Sequence, residues 1–304
     1  MSKKIFVLII LIVLTLACNF PVARASKSTA TTPGKSSSPA PSKPNPQGQS
    51  DKLVNILLLG SDWRPNAGYR TDVMLLVSIK PSQGSASLIS FPRDLWVSIP
   101  GWGTNRLNTT QALGGFSLTA QTFQDNFGIR PDYYIMTNFN GITGIVDSLG
   151  GIDVNASMKL RDACDLPAAS NGYCSVGPGI VHMDGKTTLW YVRARHTTSD
   201  FDRTRRTQEV LEAIFSRMMS LNGVIKAPEL FTTYHSSFES DLTLQNLLPL
   251  IPTAAVINLP GHLRRYAIGP DQVTNYVVPD SGAMVLLPNR AAIMELIHQA
   301  VNTP

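Results

Sequence analysis

The chain has 304 residues, of which 43% are hydrophobic and 15% are charged. This composition can bury a substantial core, so a mainly disordered protein is excluded. The formal net charge is +5, but residues 53–304 carry 19 basic and 20 acidic side chains. Because the positive excess lies in the first 52 residues, the composition excludes a strongly basic nucleic-acid-binding domain, and no nucleic-acid partner is expected.

The N-terminal residues 1–25 have the pattern of a secretory leader. Lys3 and Lys4 precede an apolar run at residues 5–17, which is shorter than the roughly 20 residues of a membrane-spanning helix. We favour cleavage at a lipobox-like sequence that leaves a lipid on Cys18, and the alternatives are cleavage after Ala25 and an uncleaved anchor. The uncleaved anchor leads to the same compartment as the lipid anchor, so the expected location is the extracytoplasmic face of the bacterial cell membrane.

Residues 26–52 are rich in Ser, Thr, Pro, Lys and Gln and contain almost nothing that could form a core. This composition predicts a disordered tether, which at this length would typically reach about 30 Å. Its lysines would lie over anionic lipid headgroups. No second linker follows, so residues 53–304 are predicted to form one domain.

Within this domain, strand-like and helix-like segments alternate. Runs of β-branched and large apolar residues predict strands at 53–59, 73–80, 87–91, 133–138 and 152–155. Apolar residues at three- and four-residue spacing predict helices at 116–127, 141–149, 186–195, 203–219, 244–256 and 290–301. This alternation predicts an α/β fold in which helices sandwich a sheet. Since the second and third strands are near enough in sequence to form a hairpin, we expect a mixed sheet.

Two cysteines, Cys164 and Cys174, lie ten residues apart in the domain. If Cys18 carries a lipid, they are left as a pair in an oxidising compartment, which favours a disulfide that closes a surface loop. The alternatives are two free thiols or a metal site, although no His or Cys lies nearby at zinc-ligand spacing.

Charged residues of both signs cluster at the predicted strand and helix ends. The clusters contain Asp62, Arg64, Arg70 and Asp72, then Arg93 and Asp94, then Arg193, Arg195, Asp200, Asp202, Arg203, Arg205 and Arg206. Carboxylates bind a hard cation such as Mg²⁺, and guanidinium groups bind phosphate oxygens. A metal-bound pyrophosphate needs both, and phosphoryl transfer requires mainly positioning and charge neutralisation. Surface ion pairs are the alternative interpretation.

In their order, these motifs resemble those of the LytR-CpsA-Psr family of cell-wall glycopolymer ligases. The matching segments are Gly60-x-Asp62-x-Arg64, Arg70-Thr71-Asp72, Ser90-x-Pro92-Arg93-Asp94, Asn105-Arg106-Leu107-Asn108, Pro131-Asp132-Tyr133-Tyr134, residues 146–151, Tyr191-Val192-Arg193-x-Arg195 and Asp200-x-x-Arg203-x-x-Arg206. The sequence departs from the family at Thr207, where Gln is usual, at Arg106, where Lys is common, and in a short segment at 196–199.

The resemblance implies a transferase that uses Mg²⁺ or Mn²⁺ to move a glycopolymer from a polyprenyl-pyrophosphate carrier onto peptidoglycan. The expected metal ligands are Asp62 and Asp72. The expected pyrophosphate ligands are Arg64, Arg70, Arg93, Arg106, Arg193, Arg195, Arg203 and Arg206. The expected catalytic residues are Asp62, Asp72, Arg70, Arg93 and Arg195.

The resemblance also implies a hydrophobic cleft between the sheet and the helices, which would hold the polyprenyl chain. Its expected lining residues are Phe116, Leu118, Phe123 and Phe127. Two other functions remain open, namely hydrolysis of the lipid pyrophosphate with water as the acceptor, and binding of a wall polymer or lipid carrier without catalysis.

Overall fold

The computed structural model describes residues 52–61, 70–194, 200–220, 238–257 and 259–302. The predicted leader with Cys18, all of the tether except Lys52, and the site residues Asp62, Arg64 and Arg195 lie outside these ranges. The described residues belong to one unit, Gly48–Pro304. None of the described helices is long and apolar enough to cross a bilayer.

A mixed sheet forms the centre of the described structure. The strands are β1 (Val54–Ser61), β2 (Thr71–Lys80), β3 (Ser85–Ser90), β4 (Trp96–Ile99), β5 (Gly103–Arg106), β6 (Tyr133–Asn138), β7 (Ile152–Ala156), β8 (Leu160–Ala163), β9 (Tyr173–Val176), β10 (Gly179–Met183), β11 (Glu239–Ser240), β12 (Leu263–Ala267), β13 (Val273–Val277) and β14 (Met284–Pro288). Six of them form the central sheet in the order β11-β6-β1-β2-β3-β12. Since β2 is antiparallel to both β1 and β3 while β6 is parallel to β1, the prediction of a mixed sheet is confirmed.

Helices follow most of the predicted periodic segments. They are α1 (Thr110–Phe127), α2 (Phe139–Ser148), α3 (Gly185–Arg193), α4 (Asp200–Ser220), α5 (Leu244–Leu247), α6 (Ile251–Ile257) and α7 (Arg290–Asn302). The single helix predicted at 244–256 is wrong, because a 3-10 turn at Leu248–Leu250 separates α5 from α6. Pro249 lies in this turn and lacks the amide proton that an uninterrupted helix would need.

The two faces of the sheet are covered by different helices. On one face, Leu57 and Leu59 of β1 belong to a buried cluster that also contains residues of α1 and α7. On the other face, Ile56 of β1 is buried in a cluster with residues of α6, and Leu58 packs against it. The helices therefore sandwich the sheet, as predicted, and the alternation of side chains along β1 decides which residues face which layer.

A smaller core lies beside this second face. Val146 of α2, Tyr191 of α3 and Val210 of α4 pack there against the paired strands β7 and β10. Next to it, Cys164 and Cys174 are joined by a disulfide across the β8–β9 hairpin, with their Cα atoms 5.7 Å apart. Helices α3 and α4 therefore pack against a second apolar core, separate from the two cores of the central sheet.

Candidate active site

Polar residues gather at one edge of the sheet, where β1, β3 and β6 end and β2 begins. Gly60 of β1 pairs with Val73 of β2 at this edge. A Cβ atom at Gly60 would lie only 2.9 Å from the Cβ of Val73, so a larger residue would push the two strands apart. This close approach explains the glycine of the first motif, and it places Asp72, the second residue of β2, at the edge.

The loop after β3 brings Arg93 to the same edge. The amide of Asn108 donates a hydrogen bond to the carbonyl of Arg93 at 3.1 Å. The hydroxyl of Thr71 donates to the carbonyl of Asn108 at 3.2 Å. The segment at residues 105–108 therefore ties the start of β2 to the loop that follows β3, which is why motifs distant in sequence meet here.

Four side chains, Asp72, Arg93, Asp94 and Arg106, form a row of alternating charges that we call the charge chain. Arg93 Nη1 makes a short ion pair with Asp72 Oδ1, and Arg93 Nε lies 3.2 Å from Asp94 Oδ2. Arg106 Nε lies 3.3 Å from Asp94 Oδ1. The four side chains are 21 to 30% exposed, so solvent ions screen these pairs less than fully exposed ones.

Asp94 was not among the predicted site residues, although it belongs to the Ser-x-Pro-Arg-Asp motif. Its position next to Arg93 was the signal that could have identified it. In the structure its two carboxylate oxygens face different arginines, Arg93 and Arg106. Asp94 therefore holds the guanidinium groups of Arg93 and Arg106 at a fixed spacing. A carboxylate that only bound a metal ion, or only carried surface charge, would not need to contact both.

The start of α4 adds Arg203 to the edge. Arg203 Nη2 donates a hydrogen bond to the backbone carbonyl of Asp72 at 3.4 Å. Thr207 lies one turn later, and its hydroxyl donates to the carbonyl of Arg203 at 3.0 Å. Gln208 points elsewhere, because its amide donates to Ser90 Oγ and to the carbonyl of Tyr266, each at 2.8 Å. The usual glutamine of the family is thus a threonine at this site, and Gln208 instead links α4 to β3 and β12 through its hydrogen bonds.

Arg206, a predicted pyrophosphate ligand, does not face the edge. Its side chain is 0% exposed. It donates hydrogen bonds to the carbonyls of Tyr191 at 2.6 Å, Ala194 at 2.7 Å and Asp202 at 3.2 Å, and burial lowers the pKa of its guanidinium group. The prediction is corrected on this point, since the guanidinium group joins the end of α3 to α4 and is sealed from any ligand.

The remaining predicted arginines take three positions. Arg193 is exposed at the C-terminal end of α3. Arg106 reaches the edge through its ion pair with Asp94. Arg70 is exposed and lies two residues before Asp72 in the sequence.

A cavity of about 350 Å³ lies between the sheet and helices α2, α3 and α4, and we call it the aliphatic cavity. Its apolar lining residues include Leu58, Ile135, Ile142, Ile145, Leu189, Val192, Val210, Leu211 and Ile214. Asp72, Arg193 and Arg203 line the same cavity. A cavity with aliphatic walls and cationic groups at the sheet edge suits a ligand with a hydrocarbon tail and an anionic head.

The predicted aromatic lining of this cleft lies on the opposite face of the sheet. Phe123 and Phe127 are 0 and 1% exposed, and their ring centroids lie 4.7 and 5.1 Å from that of Phe91. Phe116 stacks on Tyr134, and Leu118 packs against the same core cluster. The prediction is corrected, since none of the four lines the aliphatic cavity. Aromatic residues at helical spacing indicate a buried helix face, and here that face packs into the core.

A second cavity, of about 360 Å³, lies on the β3 side of Asp72, and we call it the mixed cavity. Its walls are the loop after β3, the start of α4 and the β13–β14 hairpin. Both cavities are lined by Asp72, Val73, Arg203 and Thr207. A ligand bound at these shared residues could therefore extend into either cavity.

Comparison with known proteins decides the family. The LytR_cpsA_psr (LytR-CpsA-Psr) family model matches residues 19–258, which is more than half of the chain. The chain belongs to the LytR-CpsA-Psr family. The resemblance seen in the motifs is confirmed.

Two relatives of this chain are named as transferases. TagU of Oceanobacillus iheyensis, named polyisoprenyl-teichoic acid–peptidoglycan teichoic acid transferase, is 31% identical over 210 residues, covering 66% of this chain and 63% of that protein. The protein of the same name from Bacillus mycoides is 28% identical over 253 residues, covering 80% of this chain and 79% of that one. A solved structure of TagT bound to LIIa-WTA matches with a TM-score of 0.63 and 25% identity, covering 82% of this chain and 90% of that chain.

Among the described residues, the carboxylate that could contribute to a metal site at this edge is Asp72, which is also paired with Arg93. In the ranges given above, no group of three or more His, Cys, Asp or Glu side chains could hold a metal. Mg²⁺ at phosphoryl-transfer sites is commonly held by one or two carboxylates together with phosphate oxygens. Asp72 is the described carboxylate that lines both cavities, and Asp62, the second predicted ligand, lies outside the described residues.

Behind the site, a buried network supports α4. Glu209 is 3% exposed and accepts hydrogen bonds from Tyr191 at 2.6 Å, Arg205 at 2.7 Å and the hydroxyl of Ser157 at 2.6 Å. Burial alone would raise the pKa of Glu209, but the hydrogen bonds from Ser157, Tyr191 and Arg205 outweigh it and hold the pKa below its ordinary value. Burial, with Glu209 adding to it, raises the pKa of Tyr191.

Proposed function

We propose that this protein is a transferase that uses Mg²⁺ or Mn²⁺ to move a glycopolymer from a polyprenyl-pyrophosphate carrier onto peptidoglycan. The observation that carries the proposal is the aliphatic cavity with Asp72, Arg193 and Arg203 among its lining residues. The names of the relatives, which refer to polyisoprenyl-linked teichoic acid and to peptidoglycan, support the same substrate class.

In the proposed complex, the polyprenyl chain fills the aliphatic cavity and the pyrophosphate lies at the sheet edge. Each Å² of apolar surface that leaves water contributes about 25 cal/mol, so the hydrocarbon supplies much of the affinity. Arg193 and Arg203 line the cavity near Asp72, where their planar guanidinium groups can bind phosphate oxygens in pairs. Arg93 lies beside them through its ion pair with Asp72.

The proposed reaction is attack by a hydroxyl group of a wall sugar on the phosphorus that carries the glycan. A bond forms between the hydroxyl oxygen and this phosphorus, while the bond to the polyprenyl phosphate breaks. The hydroxyl proton passes to a carboxylate, Asp72 or Asp62, and the arginines offset the charge on the leaving polyprenyl phosphate. A bound Mg²⁺, held by Asp72 and Asp62, would supply further charge neutralisation.

The proposed location is the extracytoplasmic face of the bacterial cell membrane. Residues 1–25 would direct export and anchoring, with a lipid on Cys18, and residues 26–52 would tether the catalytic domain at 53–304 above the membrane. There the chain would meet both its lipid-linked donor and peptidoglycan. Cleavage of the pyrophosphate drives the reaction, which suits a compartment without ATP.

The decisive experiment incubates the purified full-length chain with a labelled polyprenyl-pyrophosphate-linked glycan, peptidoglycan and Mg²⁺. We expect the label to become covalently attached to peptidoglycan as polyprenyl phosphate is released. Asp72→Asn deletes a hard ligand at nearly constant volume, so we expect turnover to fall by about 10³-fold, equivalent to about 4 kcal/mol. Both the rate and its dependence on Mg²⁺ concentration are measured.

Asp153→Asn is a matched control, because the Asp153 side chain is 64% exposed and lies on β7, away from both cavities. It should turn over at the wild-type rate. Label released as free glycan phosphate would instead favour the hydrolase. Binding of the carrier without any turnover would favour the non-catalytic module, and unchanged turnover of Asp72→Asn would contradict the assignment of this carboxylate.

A further inference from the structure

We infer that the mixed cavity is the acceptor subsite, which binds the saccharide of peptidoglycan whose hydroxyl group is the nucleophile. This inference rests on the proposed function and assigns the second of its two substrates to a place. It also assigns specificity to Asn275 and Tyr276 of β13, which line this cavity. Neither residue belongs to any of the motifs at the sheet edge.

The first argument is the direction of attack. In phosphoryl transfer the attacking and leaving oxygens lie roughly in line across the phosphorus. The aliphatic cavity lies toward β6 and β1, the mixed cavity lies toward β3, and β2 with Asp72 runs between them. If the polyprenyl phosphate leaves on the aliphatic side of Asp72, then the incoming hydroxyl group must arrive from the side of the mixed cavity.

The second argument is the chemistry of the walls. A sugar ring presents hydroxyl groups and apolar C–H faces, so its site needs hydrogen-bonding groups beside flat apolar surface. The mixed cavity offers the hydroxyls of Thr204 and Thr207, the amide of Asn275 and the carboxylate of Asp94. The ring of Tyr276, 39% exposed, adds an amphipathic surface. The aliphatic cavity, by contrast, is lined mainly by Leu, Ile and Val.

The third argument is that the hairpin is fixed to the charge chain. Arg106 Nη2 donates a hydrogen bond to the carbonyl of Met284 at 2.9 Å. The amide of Leu286 donates to the carbonyl of Asp94 at 3.0 Å. The β13–β14 hairpin is thereby held against the groups that would surround the phosphorus, and a wall held in this way loses less freedom when a ligand binds.

The β13–β14 hairpin also lies beyond residue 258, where the match to the family model ends. The residues shared by both cavities, including Asp72 and Arg203, lie within that match. The catalytic edge is therefore the part that the family model describes, while Asn275 and Tyr276 belong to a segment outside it. Such a wall is a suitable place for the selection of one acceptor.

The test measures the KM for a soluble peptidoglycan oligosaccharide and, separately, the Kd for the polyprenyl-pyrophosphate-linked glycan, using the full-length chain with Mg²⁺. We expect Asn275→Ala and Tyr276→Ser each to raise the acceptor KM about three- to tenfold, as for the loss of one neutral contact. The donor Kd should stay at the wild-type value. Tyr276→Phe keeps the ring and should have the smaller effect.

Tyr173→Ser is the matched control, since Tyr173 is 42% exposed on β9 and lies away from both cavities. The inference is overturned if the wild type transfers glycan while both variants keep its acceptor KM. It is also overturned if the variants weaken donor binding and leave the acceptor KM unchanged. A wild type that attaches no glycan to peptidoglycan refutes the proposed function itself. If Tyr276→Ser lowers the melting temperature, Asn275→Ala decides, because Asn275 is exposed.

Discussion

The two sides of α4 carry similar residues with different roles. Arg203 and Thr207 line both cavities, whereas Arg206 and Glu209 are 0 and 3% exposed on the side that packs against α3 and β7. Successive residues of a helix are rotated by about 100°, so Thr207 lies about 40° from Arg203 on one side. Arg206 lies about 60° from Arg203 on the other side, and Glu209 lies about 120° from it. The direction in which an arginine points from the helix therefore decides whether it can contact a ligand or is buried in the core.

The two sides also differ in what their charged groups contact. On the cavity side, Arg203 contacts the backbone of Asp72 and borders space that a ligand can fill. On the buried side, Arg206 is surrounded by backbone carbonyls, and Glu209 by three donors. Substitutions on the first side should therefore reduce activity, and substitutions on the second side should reduce stability.

The largest effect on stability is expected at Arg206. Arg206→Met fills much of the volume but leaves the buried carbonyls of Tyr191 and Ala194 without their donor. The free energy of unfolding should fall by about 3–5 kcal/mol, measured by urea unfolding at pH 7. Arg265→Met is the matched control, because the ion pair of Arg265 with Glu212 is exposed and its loss should cost less than about 1 kcal/mol.

Unchanged stability of the Arg206→Met variant would contradict the structural role assigned to the buried side of α4. An Arg206→Met protein with wild-type stability and no affinity for the polyprenyl-pyrophosphate carrier would restore this arginine as a pyrophosphate ligand. The urea transition and a carrier-binding assay on the same preparation separate these outcomes.

The disulfide between Cys164 and Cys174 allows a second test of a region that should affect stability and not activity. Replacing both Cys164 and Cys174 by Ser opens a loop of about ten residues, which should lower the free energy of unfolding by about 2–3 kcal/mol. Turnover per folded molecule should not change, since the β8–β9 hairpin lines neither cavity. The wild type without reductant serves as the reference. Two free thiols in the unreduced, denatured wild type would contradict the pairing.

On the cavity side, Arg203→Lys should show the reverse pattern. Lysine keeps the charge but cannot reproduce a planar fork to two phosphate oxygens. The loss of one charge-assisted contact, about 1.5–3 kcal/mol, corresponds to roughly a ten- to hundredfold lower turnover. The urea midpoint should stay within error of the wild type, because Arg203 lies at the cavity surface. A variant with normal turnover and a lowered midpoint would reverse the roles of the two sides.

Five of the described strands, β1, β2, β3, β6 and β7, and most of the described helices could be predicted from sequence, because each of these has a local apolar signal. The strands β1, β2 and β6 and the helices α2 and α4 follow from apolar spacing, and the edge of the sheet follows from motifs at strand ends. β11 could not be predicted, because its two residues, Glu239–Ser240, carry no periodic pattern. Pro249 could have predicted the break between α5 and α6, but the apolar spacing on both sides of it favoured one continuous helix.

The site was predictable in its residue types and less so in its geometry. Asp72, Arg93 and Arg203 do come together, since each lies at a strand or helix end that the fold brings to one edge. Arg206 was misassigned because spacing in sequence does not reveal which helix face is buried. The hairpin wall with Asn275 and Tyr276 carries no charged motif, so only the three-dimensional arrangement places it beside the charge chain.

The smallest predicted effect is a pH dependence that belongs to the buried side of α4. The pKa of Glu209 is lower in the folded protein than its ordinary value, because Ser157, Tyr191 and Arg205 donate hydrogen bonds to the carboxylate. The unfolded chain therefore binds this proton more readily. Its contribution to stability is therefore complete above the unfolded pKa and is lost as the pH falls through the folded value. In urea unfolding from pH 7 to pH 3, Glu209→Gln should be less stable than the wild type at pH 7, and the gap should narrow toward pH 3. Glu295→Gln, on exposed Glu295 of α7, should run parallel to the wild type. A gap at Glu209 that stays constant over this range would show that the carboxylate charge contributes nothing and that only the packing of Glu209 supports the helix.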